Sequence, residues 1–150
     1  RGEPHRVEYV MTVNGVDYID DSKGTNVGAT VAALEGLGAN GTKLVVILGG
    51  DGKGQDFSPI ADSMGKHARA AVLIGRDAPL IEKALQSAEY PIIHAKDMPQ
   101  AVQKASELAQ PHDCVLLSPA CASWDMFKDY AQRSAIFIAS AKALAGDTQQ

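Results

Sequence analysis

The stretch Lys43-Leu44-Val45-Val46-Ile47-Leu48-Gly49-Gly50-Asp51-Gly52-Lys53-Gly54 decides the architecture. An unbroken apolar run that gives way at once to glycines describes a short strand buried on both faces and ending in a tight loop. Comparable apolar runs stand at residues 70–74, 91–95 and 114–117. Segments with helical periodicity lie between and around them, at 27–37, 58–64, 77–88, 98–109 and from about Trp124 to Ala145. Strands alternating with helices through short connections predict a Rossmann-like α/β fold, an open and mostly parallel sheet with helices on both faces. The N-terminal segment departs from that rhythm. Val7, Tyr9, Met11 and Val13 alternate on one face, Asn14-Gly15 follows, and Val16, Tyr18 and Ile19 resume. Asn-Gly between such runs marks a type I′ hairpin, so the sheet is expected to be mixed.

The composition bounds the rest. A chain of 150 residues with 45% hydrophobic content fits one domain with its own core. Fourteen basic against 18 acidic residues give a net charge of -4. No basic stripe is present to hold nucleic acid. The run at 44–48 is far too short to span a bilayer and no secretory signal opens the chain, so a soluble, cytoplasmic protein without membrane insertion is expected. Cys114 and Cys121 lack the spacing of a zinc site or a disulfide framework, and the four histidines are scattered. Both ends, Arg1-Gly2-Glu3-Pro4 and Gly146-Asp147-Thr148-Gln149-Gln150, read as cut points in a longer chain.

In open parallel sheets ligands bind beyond the carboxyl ends of the strands, which directs attention to three strand-exit loops. The first, Asp20-Asp21-Ser22-Lys23-Gly24-Thr25-Asn26, enters a helix that either Thr25 or Asn26 could cap. Lys23 stands just outside that helix start, where free N–H groups favour an anion, although the same residues are ordinary turn formers. The second, Gly49 to Gly54, permits close backbone approach and offers Lys53. It lacks the nucleotide P-loop spacing, because Ile47 stands where the first glycine is needed and Gly54 where a hydroxyl should follow the lysine. The third, Ser118-Pro119-Ala120-Cys121-Ala122-Ser123-Trp124, leaves room for a ligand and predicts Ser123 as the cap of the last helix. Cys121 has no neighbouring base to make it a nucleophile.

Together, Asp21-Ser22-Lys23-Gly24-Thr25-Asn26, Gly49-Gly50-Asp51-Gly52-Lys53 and Ser118-Pro119-Ala120-Cys121-Ala122-Ser123 resemble the C-terminal domain of the D-glutamate-adding muramyl ligases. The likeness runs from His5-Arg6 to the final helix. It implies a three-domain enzyme in which ATP phosphorylates the carboxylate of UDP-N-acetylmuramoyl-L-alanine and D-glutamate attacks the acyl phosphate. The P-loop and the Mg2+ ligands belong to the missing central domain, so this domain alone is expected to bind neither ATP nor Mg2+ productively and to be inactive. By the same resemblance Arg6, Asp21 and Lys23 face the nucleotide, with Lys23 catalytic near the transferring phosphate. Thr25, Lys53, Ser123, the Trp124 backbone and Tyr130 surround D-glutamate. Asp20, Gly24 and Tyr130 depart from the family's usual Asn, Ala and Phe. The competing readings are another amino-acid ligase of the Mur or folylpolyglutamate type, and a stand-alone ligand-binding domain.

Overall fold

The computed structural model describes residues 7–123 and 125–148. Six strands, β1 (Glu8–Val13), β2 (Val16–Asp20), β3 (Leu44–Gly49), β4 (Ala68–Ile74), β5 (Ile92–His94) and β6 (Cys114–Leu117), form one sheet in the order β1-β2-β6-β3-β4-β5. Only β1 runs antiparallel to its neighbour. Five helices connect or follow the strands: α1 (Val27–Gly38), α2 (Ser58–His67), α3 (Ala78–Ala84), α4 (Met98–Leu108) and α5 (Tyr130–Thr148). The mixed, mostly parallel α/β sheet read from the sequence is therefore the one observed.

The β3 run is continuous because both of its faces are covered. Leu44, Val46 and Leu48 point to the side packed by Leu34 of α1, Ile60 and Met64 of α2 and Ile81 of α3. Val45 and Ile47 point to the other side, against Met98 and Val102 of α4 and Phe137 of α5. Each of these aliphatic side chains is at most 1% exposed, and burial of one contributes about 1.5–3 kcal/mol.

The hairpin turn has the expected geometry, with φ of 53° at Asn14 and 79° at Gly15. The alternation predicted for β1 does not hold. Tyr9 pairs with Ile19 and Met11 with Tyr18, which leaves Val10 as an extra residue and turns the strand over at a β-bulge. Tyr9 is consequently 63% exposed, while Val10 and Met11 both pack toward the core. Three helix boundaries also differ from the pattern, the first being α2, which runs on to His67 instead of ending at Met64. α3 stops at Ala84, where the Leu85 N–H splits between the Ile81 and Glu82 carbonyls. The last helix begins at Tyr130 rather than near Trp124, because the Asp129 carboxylate, not the Ser123 hydroxyl, receives the N–H of the third helical residue, Gln132, at 2.9 Å. No helix among the described residues is long and apolar enough to cross a membrane.

Candidate functional site

Strand order brings the three loops together. β6 lies between β2 and β3, yet β2 and β3 lead into helices on one face of the sheet and β6 into α5 on the other. Their exits therefore diverge around a crevice, the topological switch point at which open α/β sheets hold ligands. Segments nearly a hundred residues apart in sequence share this end of the sheet.

The loops are stitched mainly through backbone. Asp21 N–H donates to the Leu117 carbonyl at 2.7 Å and Ala120 N–H to the Gly24 carbonyl at 2.9 Å, which ties the first loop to the third. Asp51 and Ala122 exchange N–H···O bonds of 3.0 and 2.9 Å in an isolated antiparallel bridge, which ties the second to the third. The bridge brings the segment carrying Lys53, two residues beyond Asp51, to the segment carrying Ser123, one beyond Ala122. It requires the Gly49-Gly50 pair, with φ near 134° and 133°. A Cβ on Gly49 would lie 1.8 Å from the Ile74 carbonyl oxygen, and one on Gly50 would lie 2.4 Å from that of Ala122. These glycines thus admit neighbouring backbone. Ala120 accepts a left-handed conformation (φ 63°) at the corner of the third loop.

Side chains complete the frame. Ser118, fully buried, donates its hydroxyl to Asp21 Oδ2 at 2.9 Å and shares a 3.0 Å hydrogen bond with the Thr30 hydroxyl. Gln55 accepts the Val27 N–H at 2.8 Å and donates to the carbonyls of Gly52 and Ala120 at 2.9 and 2.8 Å. Asp77 accepts from Gly52 N–H, and Asp125 accepts from Arg76 N–H, each at 2.7 Å. The Arg76 guanidinium meets Asp51 at 2.7 Å. The Lys53 N–H, followed by that guanidinium, holds the Asp51 carboxyl below its usual range.

Among the residues expected at the site, Lys23 is exposed on the first loop, its Nζ 5.9 Å from the centre of the Tyr130 ring. Both line a cleft of about 200 Å³ with Ser22, Asp20 and Glu8. Thr25 is half-buried and Lys53 exposed, the latter with φ 53° in its turn. Ser123 is buried and its carbonyl receives the N–H groups of Met126 and Phe127, so it opens a turn before α5. Asp21 is only 1% exposed and serves as a brace between loops. Arg6 and Trp124 lie outside the described residues. Asn26, not Thr25, caps α1 by accepting the Ala29 N–H at 2.9 Å. With Val27 N–H given to Gln55 and Ala29 N–H to Asn26, the first turn of α1 has two of its donors engaged. Burial, and then the charge of Asp77, push the Cys121 thiol up to about 12, which leaves no thiolate for a nucleophilic role at neutral pH.

Gln55 and Arg133 did not emerge from the sequence. Gln55 follows the glycine loop without a recognisable pattern. Arg133 sits in a helix that reads as amphipathic, yet it is fully buried. A separate hollow of about 410 Å³ at the opposite end of the sheet, beside Val13, Asn14 and Pro111, carries no charged side chain and lies apart from the motif loops. No cluster of His, Cys, Asp or Glu among the described residues is arranged to hold a metal ion.

An open, mostly parallel sheet with polar loops gathered at its switch point places the chain in the α/β class. Residues 5–121 match the family model described as Mur ligase, glutamate ligase domain, and the chain belongs to that family. It is 60% identical over 145 residues to the UDP-N-acetylmuramoylalanine–D-glutamate ligase of a Polaromonas species, covering 97% of this chain and 24% of the relative. The proteins of the same name from Aromatoleum aromaticum (60% identity, 96% of this chain, 30% of the relative) and Bordetella parapertussis (58%, 97% and 28%) are similar. The chain thus spans less than a third of the length of these relatives. The fold is shared with a murein peptide ligase from Psychrobacter arcticus, at a TM-score of 0.67 and 15% identity over 95% of this chain and 30% of that one. It is also shared with a UDP-N-acetylmuramoyl-L-alanyl-D-glutamate–2,6-diaminopimelate ligase, at 0.66 and 13% identity over 100% of this chain and 33% of the other.

Proposed function

We propose that the chain is the C-terminal, amino-acid-binding domain of a three-domain, ATP-dependent ligase that joins D-glutamate to UDP-N-acetylmuramoyl-L-alanine in peptidoglycan precursor synthesis in the cytoplasm. The observation that carries this reading is the meeting of the three motif loops at the exits of β2, β6 and β3, in a chain up to 60% identical to proteins named for that reaction. ATP with Mg2+ supplies the phosphoryl group that activates the acyl substrate. The central and N-terminal domains of the same chain hold the remainder of the site.

In this reading Arg6, Asp21 and Lys23 form the nucleotide side. The exposed Lys23 ammonium, at the rim of a cleft beside an aromatic ring, has room for an approaching phosphate oxygen, and a fixed cation there stabilises negative charge as it develops. Asp21 contributes by holding the loop in shape. Thr25, Lys53, Ser123, the Trp124 backbone and Tyr130 receive D-glutamate, with Lys53 on a carboxylate. Closure of this domain over the central one excludes water from the acyl phosphate.

The test is incubation of the full-length enzyme with UDP-N-acetylmuramoyl-L-alanine, ATP and isotopically labelled D-glutamate, with the product read by mass spectrometry. Label in an amide-linked product is expected. The isolated domain should give neither product nor ATP hydrolysis. Incorporation of a different amino acid in preference to D-glutamate overturns the reading.

A further inference from the structure

Arg133 lies in the first turns of α5, fully buried. Its guanidinium donates from Nη1 to the Cys121 carbonyl and from Nη2 to the Ser22 carbonyl, both at 2.9 Å. Among the described residues Nε has no hydrogen-bond partner and the side chain makes no salt bridge. Burial is the largest influence on this group and lowers its pKa to about 10, which leaves it protonated at neutral pH. The nearby carboxylates of Asp125 and Asp20 favour the charge without forming a salt bridge to it, and its hydrogen bonds go to two neutral carbonyls, so desolvation of the ion is only partly offset. Replacing a buried ion by an apolar side chain of similar volume is often neutral or stabilising.

What the guanidinium accomplishes that an apolar side chain cannot is a fixed link between two loops. Ser22 immediately precedes Lys23, and Cys121 stands two residues before Ser123. The planar fork, with its two terminal nitrogens in rigid relation, therefore sets the separation between the first and third loops. α5 grips the first loop a second time, since the neighbouring Ser134 hydroxyl donates to Asp20, whose carboxylate also receives the Ser22 N–H and hydroxyl at 2.9 and 2.6 Å. We propose that Arg133 is a positioning residue for the ligase reaction, a buried fork that holds the Lys23 loop and the Ser123 loop at the spacing the reacting groups require. The inference rests on the function proposed above and assigns to Arg133 no contact with substrate.

The experiment compares full-length wild type with Arg133→Gln and Arg133→Lys. Lysine keeps the charge but has a single nitrogen that cannot reproduce the two-pronged link, so it serves as the informative variant if glutamine compromises folding. A misplacement of reacting groups on the order of 1 Å costs about a hundredfold in rate, so Arg133→Gln should lower kcat/KM for D-glutamate by about that factor and Arg133→Lys by about tenfold. KM for UDP-N-acetylmuramoyl-L-alanine should be unchanged. Amide hydrogen exchange should accelerate at residues 20–26 and 118–123 in both variants, even where the melting temperature matches wild type. Variants with wild-type exchange at both loops, or a loss that follows only the folded fraction, overturn the inference. If wild type itself does not use D-glutamate, the functional reading fails, while exchange at the two loops still decides whether Arg133 links them.

Discussion

Replacement of Ser118 by alanine isolates a deeply buried polar contact of the site. The hydroxyl is one donor to the carboxylate of Asp21, itself 1% exposed, and it also meets Thr30. Its removal leaves a buried carboxylate oxygen short of a charge-assisted hydrogen bond, which costs about 1.5–3 kcal/mol. For a urea m-value of about 1–3 kcal/mol per molar, the unfolding midpoint should fall by about 1 M. Thr30→Val is the control. Thr30 contributes neutral hydrogen bonds to the hydroxyl and the carbonyl of Ser118, so its loss should cost only about 0.5–1.5 kcal/mol. Urea unfolding of the chain, followed by circular dichroism for wild type and both variants, measures the three midpoints. A Ser118→Ala midpoint equal to wild type, or a larger loss in Thr30→Val, refutes the assignment of Asp21 as a carboxylate braced by Ser118.

Three further outcomes are expected. Lys53→Ala in the complete enzyme should raise KM for D-glutamate about ten- to a hundredfold, the loss of one charge-assisted hydrogen bond, with little change in KM for ATP; steady-state kinetics varying each substrate checks this, and the reverse pattern would move Lys53 to the nucleotide side. Lys23→Met should depress kcat more than it weakens D-glutamate binding, because the cation acts where charge develops; a large rise in KM at constant kcat would reassign it. Asp113 is buried, which raises its pKa, yet the two Arg69 contacts of 2.8 and 3.0 Å and the Gln110 N–H outweigh burial and leave it lowered. A folded pKa below the unfolded value of about 3.9 means this stabilisation is complete above about pH 4 and disappears as pH falls through the folded value, so urea midpoints should hold from neutral pH to about 4 and decline below. A decline already under way at higher pH would assign the acid sensitivity to other groups.

The strands of this fold were legible because each is short, apolar and bounded by turn residues, and the Asn14-Gly15 hairpin because its backbone needs left-handed residues. Their order was not, since nothing local in 114–117 says that this segment wedges between β2 and β3. The three loops could be singled out from their position at strand exits, whereas their mutual contacts depend on that order. The misplaced start of α5 has a simple origin. Ser123 and Asp129 are both good caps, and local pattern does not separate the turn at 125–126 between them from a helix. Arg133 escaped notice because a lone arginine at helical spacing reads as solvated, and only tertiary structure buries it. The bulge at Val10 is a further case, as alternation survives in the letters while the backbone turns over.

The position of β6 governs how this chain can assemble. The β1–β2 hairpin and the β3–β4–β5 group have no direct pairing, and both edges wait for four residues, Cys114–Leu117, that leave the ribosome last among the strands. Until then the strand that joins the two groups is missing. Closing the β2–β6 pairing, Asp17 against Cys114, spans nearly a hundred residues, and loop-closure entropy grows only logarithmically with that length. The sheet should therefore be completed late, when β6 pairs with β2 and β3. A peptide carrying β6 and α5, supplied separately, is the missing wedge by which a chain truncated before residue 114 could be completed.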